Sequence, residues 1–511
     1  MPRFLPLLVL ALPIVALAAP PAPQLVPTEG SIPEGTVYET VLFEGKRIGV
    51  HTLSATREPG GKLTRITSAM DLTLSRFGTL VKLRREEGAR LTAEGKIFGT
   101  FLSQTQDGGK GMSLTGTVID EALLVRILPL DAERRVPWDA SALDPWAALH
   151  QFAGKKLETG DKVSFTRWEP LYNRVITVRG IVRGKERTPV LVKGGDKMRD
   201  LRRIDLIPDP LEAGKTRVVP ARQTWWLDDE GIPQRRQTTL DGLGQLTLLR
   251  SDKTSATAAI TNVVPDVGKA SFAPLNKMLR LPYQSTKLRY RITVRDESDL
   301  KDLFLSDEHQ TARVVDGKIE LTVAPPRPAG GGGAGTGAGK TRARPEELAP
   351  NFYLDHDDER VQQVAKRAAG DETDSWKKAQ KIERFVRTFL RNDNTAELVP
   401  VSKIVRDARG DCRHHAFLTT ALLRANGLPA RTAIGLLYVH RGTPVFGFHM
   451  WSEVLIDGQW RGLDSTLGNG GVSAAHVKVT DHHWFNVASL APLLPAQKVV
   501  GKVRFELLPS E

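Results

Sequence analysis

The feature that constrains this fold most is a glycine- and proline-rich segment at residues 325–345, with the sequence PPRPAGGGGAGTGAGKTRARP. Such a composition is typical of a linker between folded parts, because glycine is conformationally free and proline interrupts helices and sheets. Apolar residues alternate with polar ones before this segment and recur at helical spacing after it. A chain of 511 residues is also too long for one hydrophobic core. The sequence therefore predicts several domains that are divided at this linker.

The region before the linker, residues 19–265, is predicted to be all-β. Apolar and polar residues alternate at 70–74 and at 174–178, as in strands with one buried face. Turn-forming residues recur at short spacing, at 59–61, 107–109 and 241–242. This pattern is typical of an antiparallel β sandwich or of a curved half-barrel, and both architectures stay open. We interpret its tryptophans as core or edge aromatics rather than as a ligand platform: Trp138, Trp146, Trp225 and Trp226.

A small β segment is predicted at residues 266–324. Apolar residues alternate strictly with polar ones from Lys287 to Arg295, and Asp316-Gly317 predicts a hairpin turn between two apolar runs. Further on, residues 334–341 in the linker nearly match a phosphate-binding loop. The match lacks the first glycine of the motif and the strand and helix that such a loop requires, so we expect no nucleotide site.

The first 18 residues are typical of a signal peptide. Arg3 precedes an apolar run from Leu5 to Leu17, and Ala16-Leu17-Ala18 offers a cleavage site with small residues. The alternative is an uncleaved membrane anchor, although the run is short for a helix that spans a bilayer. We therefore expect a periplasmic or secreted protein.

The formal net charge of +13 lies almost entirely in residues 1–345, the linker included. Residues 346–511 are close to neutral, which argues against a nucleic-acid-binding function for that part. The basic surplus of the first part is consistent with association with an anionic envelope surface. An ordinary solvated surface is the alternative interpretation.

The chain has one cysteine, Cys412, which cannot form an intramolecular disulfide. It is therefore either a buried apolar residue or a functional thiol. A helical pattern that ends at Gly427 and Pro429 begins at about Asp411, which can cap it, so Cys412 lies in the first turn. The free amides and the dipole at a helix start favour a thiolate there, and this position favours the functional interpretation. Another helix is predicted from Asp374 to Arg391, with Trp376 in the core.

A histidine and an aspartate are predicted to meet on a hairpin downstream. Asp457-Gly458 predicts a two-residue turn, so that Ile456 pairs with Gln459. Counting back along both strands places His449 opposite residue 466 and puts Asp464 diagonally beside His449 on the same face. A carboxylate that holds an imidazole is the arrangement of a general base and acid. A three-residue loop would reverse this parity, so the prediction depends on the turn type.

Four blocks together resemble the transglutaminase-like superfamily. They are G-D-C-x-x-H-A around Cys412, L-x-A-x-G-x-P-A-R ending at Arg431, H-x-W-x-E-V from His449, and W-x-x-x-D ending at Asp464. The resemblance covers about residues 359–466 and predicts that residues 346–511 form an α+β, papain-like domain. It implies Cys412 as nucleophile, His449 as general base and acid, and Asp464 as the orienting carboxylate. Proline often follows the aspartate in the family, whereas this chain has Ser465.

The function that this resemblance implies is thiol-dependent acyl transfer on a protein or peptide amide, through a thioester on Cys412 that an amine or water resolves. We expect no cofactor, and no calcium, because no acidic cluster has the spacing of a calcium loop. We also expect no structural metal, since the other histidines near the site share no metal-binding spacing with a second cysteine. These are His440, His476, His482 and His483. His414 and His415 flank the cysteine, and we interpret His415 as a packing residue or a local hydrogen-bond partner rather than as a ligand. The alternatives are a cysteine peptidase or amidase, and a non-catalytic envelope-binding or scaffold protein that retains the fold.

Overall fold

The computed structural model describes residues 35–509, apart from gaps at 77–78, 107–111, 129–131, 171–173, 193–194, 214–215, 219, 241–243, 262–263, 296–299, 302, 327–340, 394–398, 486–491 and 493. The predicted signal peptide, the glycine-rich part of the linker and the turns expected at 107–109 and 241–242 lie outside the described residues. The described chain forms two compact units, residues 35–270 and residues 271–509. None of the helices in the described ranges is long and apolar enough to span a membrane.

The first unit is built almost entirely from β strands. Its strands are β1 Gly35–Phe43, β2 Lys46–Arg57, β3 Thr64–Arg76, β4 Thr79–Leu91, β5 Ile97–Gln106, β6 Met112–Ile119, β7 Ala122–Leu128, β8 Ala132–Pro137, β9 Lys162–Glu169, β10 Arg174–Val192, β11 Gly195–Pro208, β12 Leu211–Ala213, β13 Thr216–Val218, β14 Gln223–Leu227, β15 Pro233–Leu240 and β16 Gly244–Ser251. Short helices are α1 Pro145–His150, α2 Lys253–Thr257 and α3 Val267–Ala270. The strands predicted at 70–74 and 174–178 are confirmed within β3 and β10.

Fourteen of these strands form one antiparallel sheet in the order β8-β7-β6-β5-β4-β3-β2-β1-β16-β15-β14-β11-β10-β9. The sheet is curved, because one buried cluster joins side chains of β2 and β3 to side chains of β10 and β11. A second cluster joins β5–β7 to Trp168 of β9, near the opposite end of the sheet. The pairing is therefore that of a single continuous sheet rather than of two packed sheets. The four tryptophans that were interpreted as core residues are buried.

The second unit combines helices with two main sheets. Its strands are β17 Ala273–Pro274, β18 Leu288–Val294, β19 Gln310–Val315, β20 Lys318–Val323, β21 Arg391–Asn392, β22 Arg409–Gly410, β23 Ala430–His440, β24 Pro444–Ile456, β25 Gln459–Leu463, β26 His476–His482 and β27 Val503–Leu507. Its helices are α4 Glu359–Ala369, α5 Ser375–Phe389, α6 Val401–Asp407, α7 Cys412–Ala425 and α8 Leu494–Gln497, with 3₁₀ turns at Pro282–Gln284 and Pro345–Glu347.

The central sheet of this unit has the order β17-β24-β23-β26, and β25 pairs with the same edge of β24 as β17. Helix α7 packs on this sheet and contacts α4, α5 and α6. A smaller sheet has the order β19-β20-β18-β27, so the strands of the predicted small β segment share a sheet with a strand from the end of the chain. The hairpin predicted at Asp316-Gly317 is confirmed, and both residues have the positive φ angles of a two-residue turn.

Candidate active site

Helix α7 begins at Cys412 because Asp411 caps it. The Asp411 side chain accepts a hydrogen bond from the backbone N–H of Arg413 at 2.9 Å. It also accepts bonds from the Arg413 guanidinium, at 2.8 Å from Nη2. Burial opposes ionisation of Asp411, but the charge of Arg413 and a hydrogen bond from His414 outweigh it and hold the pKa of Asp411 well below its usual range. The predicted helix start and its cap are confirmed.

The thiol of Cys412 is enclosed by the protein, with 2% of the residue exposed. Burial raises the pKa of this thiol well above its usual value, and the negative charge of Asp411 adds to the effect. The charge of Arg413 and the backbone N–H of Met450 act in the opposite direction and are the weaker influences. Burial therefore acts against the thiolate that the helix start was expected to favour.

The hairpin of β24 and β25 has the turn that the sequence predicted. Asp457 and Gly458 have positive φ angles, and Ile456 pairs with Gln459. The ladder ends where Ser452 pairs with Leu463, and the chain then turns, so the pairing expected opposite His449 does not form. The turn nevertheless returns the Asp464 carboxylate to the imidazole.

His449 and Asp464 form a buried hydrogen-bonded pair. The distance between His449 Nε2 and Asp464 Oδ2 is 2.8 Å. Burial opposes ionisation of Asp464, but the electrostatic interaction with His449 and hydrogen bonds from His449 and His476 hold the pKa of Asp464 well below its usual range. An ionised carboxylate only accepts hydrogen bonds, so Nε2 of His449 carries the proton.

The other ring nitrogen of His449 is available for chemistry. Nδ1 is buried, and it has no hydrogen-bond partner among the residues that the structure describes. A neutral imidazole with its proton on Nε2 presents a lone pair at Nδ1. The ring is therefore held through one nitrogen and is free to accept a proton through the other.

Cys412, His449 and Asp464 converge at an interrupted edge of β24. On that edge β17 pairs with Val445 and Phe446 and β25 pairs with 452–456, so residues 447–451 pair with no described strand there. The sulfur of Cys412 is influenced by the backbone N–H of Met450, the next residue after His449, and by the charge of Asp464. The structure thus brings the start of α7 to the section of β24 that carries His449.

The carboxylate of Asp464 has more donors than the sequence suggested. Oδ1 accepts hydrogen bonds from the backbone N–H of Thr466, at 2.9 Å, and from the Thr466 hydroxyl. Oδ2 also accepts from His476 Nε2 at 3.2 Å. No sequence pattern indicated this role for His476, since it lies on another strand and the tertiary fold determines its pairing.

Helix α5 holds the loop that follows Asp464. Gln380, Glu383 and Arg387 recur at helical spacing and all bond to the backbone of residues 464–470. The Glu383 carboxyl accepts from the N–H of Asp464 at 3.0 Å and from that of Gly470 at 2.8 Å. The predicted helix is thereby confirmed, with Asp374 as its cap. Trp376 is an exception, because it is only half-buried and lies under the Arg461 guanidinium, 5.6 Å from the ring centroid.

Two buried serines attach helix α7 to the sheet side of the site. The Ser452 hydroxyl donates to the carbonyl of Ala416 at 2.9 Å. The Ser465 hydroxyl accepts from Thr419 at 2.9 Å and donates to the carbonyl of His415 at 3.3 Å. These bonds fix α7 against the strand of His449 and against the loop of Asp464 at the same time.

One group of described side chains at this site has atoms suitable for a metal ion. The ligand atoms of His449, Asp464 and His476 all lie within 4.8 Å of one another, and imidazole and carboxylate are common ligands of zinc. The same atoms are already hydrogen-bonded to one another in the structure. The three side chains are therefore already joined to one another by hydrogen bonds.

A second histidine–carboxylate contact lies in the first unit. His51 Nδ1 is 2.7 Å from Glu39 and Nε2 is 2.9 Å from the Ser68 hydroxyl. The Glu39 carboxylate also pairs with the guanidinium of Arg236, and all four side chains are buried between strands. We interpret this set as an internal ion pair that satisfies buried polar groups.

Comparison with known proteins agrees with the resemblance found in the sequence. The sequence profile described as the transglutaminase-like superfamily matches residues 362–465. No curated protein sequence matches the chain.

Several solved structures align at low identity. A candidate cysteine protease from Cytophaga hutchinsonii is 15% identical over 44% of this chain and 89% of that chain, with a TM-score of 0.28. A β-barrel-like protein from Brucella abortus is 11% identical over 42% of this chain and 94% of its own, with a TM-score of 0.32. The periplasmic domain of TgpA from Pseudomonas aeruginosa, bound to ethylmercury, is 15% identical over 37% of this chain and 74% of its own, with a TM-score of 0.23.

The matched segment contains all three residues that the motifs singled out, Cys412, His449 and Asp464. Residues 362–465 of this chain are a domain of the transglutaminase-like superfamily.

Proposed function

We propose that this protein is an exported enzyme that transfers acyl groups from amides through a thioester on Cys412. His449 is the general base and acid, and Asp464 orients it. The observation that carries the proposal is the buried His449–Asp464 pair, whose Nδ1 has no partner in the described structure, beside the helix start that bears the cysteine. A protein or peptide amide is the substrate class.

The first half-reaction begins with a neutral thiol, because burial raises the Cys412 pKa. Nδ1 of His449 takes the thiol proton as sulfur attacks the amide carbon, and the carbonyl electrons move to oxygen. Collapse of this intermediate breaks the carbon–nitrogen bond, and Nδ1 returns the proton to the leaving nitrogen. The products are a free amine or ammonia and a thioester on Cys412. The positive end of the α7 dipole is suited to stabilise the oxyanion.

The second half-reaction resolves the thioester. Water or a primary amine attacks the acyl carbon while Nδ1 of His449 accepts its proton, and the carbon–sulfur bond then breaks. The proton passes to the sulfur and restores the thiol. Water as acceptor gives hydrolysis, and an amine gives cross-linking.

The test supplies a glutamine peptide with and without a fluorescent primary amine. Cys412→Ala should abolish both ammonia release and amine incorporation, and intact-mass analysis should find the acyl adduct on wild type but not on the variant. His440→Gln, at an exposed histidine on the end of β23, is the matched control and should retain activity. Full turnover by Cys412→Ala would disprove the proposal. Ammonia release without amine incorporation would identify a hydrolase.

The non-catalytic scaffold is the second candidate, and the burial of Cys412 is the observation that favours it. A peptide chloromethyl ketone distinguishes the two functions, because a substrate-like reagent reaches the thiol only through a working site. The measured quantity is the labelling rate by the chloromethyl ketone divided by the labelling rate by iodoacetamide. If the protein is an enzyme, this ratio should be at least about tenfold higher for the folded protein than for the unfolded protein. Equal relative rates would support the scaffold.

Export and association with the envelope complete the proposal. They are supported by the signal-peptide pattern in residues 1–18 and by the basic charge before the linker. N-terminal sequencing of the protein from expressing cells should begin close to residue 19. A mature protein that still starts at residue 1 would contradict cleavage, and recovery of the protein in the cytosolic fraction would contradict export.

A further inference from the structure

His476 shares the carboxylate of Asp464 with His449. The distances from Asp464 Oδ2 are 2.8 Å to Nε2 of His449 and 3.2 Å to Nε2 of His476. The two imidazole rings have centroids 6.0 Å apart, and all three residues are at least 98% buried. In this enclosed place each bond to the carboxylate restricts how it can rotate.

The fold makes room for this arrangement at Gly435 of β23. Gly435 pairs with His449 on one neighbouring strand and with Lys478 on the other, and Leu437 pairs with His476. Directly opposed residues of an antiparallel pair point to the same face, so a side chain at 435 would lie on the face of His449. A Cβ there would come within 2.1 Å of the carbonyl oxygen of Val477. A glycine between the two histidine strands therefore lets them approach closely.

The protonation of His476 follows from its neighbours. An ionised Asp464 only accepts hydrogen bonds, so Nε2 of His476 is the donor. Nδ1 lies 3.2 Å from the backbone nitrogen of Ser473, which donates, and 3.3 Å from the Ser473 carbonyl oxygen, which accepts. Burial lowers the pKa of His476 and favours the neutral form. His476 therefore adds a hydrogen bond to the carboxylate without adding a positive charge.

We propose that His476 is a positioning residue of the active site, which fixes the Asp464 carboxylate in the orientation that holds His449. This inference rests on the proposed function. Thr466 fixes Oδ1 by two hydrogen bonds, and His476 fixes Oδ2 from the opposite strand. With both oxygens held, the bond to His449 keeps one direction throughout the reaction, which fixes the orientation of the imidazole ring.

The experiment compares two substitutions at this position. The amide nitrogen of glutamine can occupy the place of Nε2, so His476→Gln keeps the donor. His476→Phe keeps the ring and removes the donor. We expect His476→Phe to lower kcat about tenfold, with KM within about twofold, because held partners of catalytic groups typically contribute 10- to 100-fold. His476→Gln should retain kcat within about threefold. His440→Gln is the control, and thermal unfolding checks that each variant folds.

A spectroscopic measurement tests the contact without any turnover. In protein labelled with ¹⁵N-histidine, NMR should show two histidines in the site with a proton on Nε2. His476→Phe should remove one set of signals and shift the other. This measurement separates the proposed enzymatic function from the proposed role of His476. An inactive wild type would disprove the enzymatic function, but the hydrogen bond from His476 to Asp464 could still be measured.

Three outcomes would overturn the inference. Wild-type kcat in His476→Phe would show that Asp464 needs no second donor, and equal losses in both variants would show a role in packing alone. Stoichiometric zinc or another divalent metal in the purified wild type, absent from His476→Phe, would show that His449, Asp464 and His476 are ligands rather than a hydrogen-bonded set.

Discussion

Glu383 is a carboxyl group with no exposed surface, and it lies behind Asp464. It bonds to the backbone at both ends of the loop that begins with Asp464, so it contributes to the shape of that loop. Burial, and then the nearby charge of Asp464, raise the pKa of Glu383 to about 8. Two buried carboxylates in such proximity repel each other when both are ionised. Glu383 is therefore protonated over much of the neutral range.

This pKa makes stability depend on pH in a definite direction. Between roughly pH 5 and 8 the folded protein keeps the Glu383 proton that the unfolded chain has lost, so the free energy of unfolding falls as pH rises. One such proton contributes a slope of up to about 1.4 kcal/mol per pH unit. Glu383→Gln should remove this slope, as measured by urea unfolding across that range. Glu359→Gln, at an exposed carboxyl, is the control, and an unchanged slope in Glu383→Gln would contradict the assignment.

The three candidate site residues could be proposed from the sequence, whereas the protonation of Cys412 could not. The hairpin parity that brought Asp464 to His449 depends only on the local turn at Asp457-Gly458, which residue type determines. The protonation of Cys412 and Glu383 depends on desolvation by strands and helices that are distant in sequence. No local pattern contains that information.

At the scale of elements, helix α7 is attached to the site by side-chain bonds at two successive turns. Ser452 of β24 bonds to the carbonyl of Ala416 and to the hydroxyl of Thr420, both at 2.9 Å. Ser465 bonds to Thr419 and to the carbonyl of His415. The family often has proline at the position of Ser465, and proline could make neither of these bonds. Ser465, at which this chain departs from the family pattern, therefore makes two structural hydrogen bonds.

Replacing Ser465 should destabilise this attachment. Ser465→Ala leaves the buried hydroxyl of Thr419 without its acceptor, so we expect a loss of about 1–3 kcal/mol in the free energy of unfolding. The double variant Ser465→Ala, Thr419→Val removes both polar groups and should lose less than the sum of the single variants. A double-mutant cycle in urea measures this difference. Additive losses would show that the two hydroxyls do not interact.

The elements themselves were largely predictable, and their partners were not. The start of α7, the cap of α5 at Asp374 and the turn at Asp316-Gly317 all follow from local residue preferences. The sequence analysis placed Trp376 in the core, whereas it is only half-buried. Helical spacing identifies the buried face of a helix, but it does not show that a residue on that face lies near the helix end, where less of it is covered. The pairing of β27 with β18 joins residues more than 200 positions apart, and no periodicity reports such a contact.

On the scale of the whole molecule, the second unit is completed by residues from before the linker. Tyr290 of β18 packs edge-on against Phe446 and Phe505, with ring centroids 5.5 and 5.6 Å apart. Lys478 is fully buried and pairs with Asp307 at 2.6 Å and with Glu453 at 2.8 Å. The core of this unit thus extends across the linker to about residue 271.

Fragments of the protein should reflect this boundary. A fragment of residues 271–511 should unfold in one cooperative transition, since it retains β18, β20 and the partner of Lys478. A fragment of residues 346–511 lacks them and should aggregate or melt without cooperativity, because it exposes the aromatic cluster and leaves a buried lysine with fewer partners. Calorimetry and circular dichroism compare the two. Equal cooperativity in the shorter fragment would contradict this account.

The burial of the single thiol also affects how fast it can be oxidised. Peroxide attacks thiolates far faster than thiols, and it must reach the sulfur to form a sulfenic acid. A buried and protonated Cys412 meets neither condition, and in the proposed mechanism it gives its proton to His449 only during turnover. In a compartment without a reducing system, a buried thiol would be oxidised more slowly than an exposed one. Under the proposed mechanism, most of its oxidation would take place during turnover.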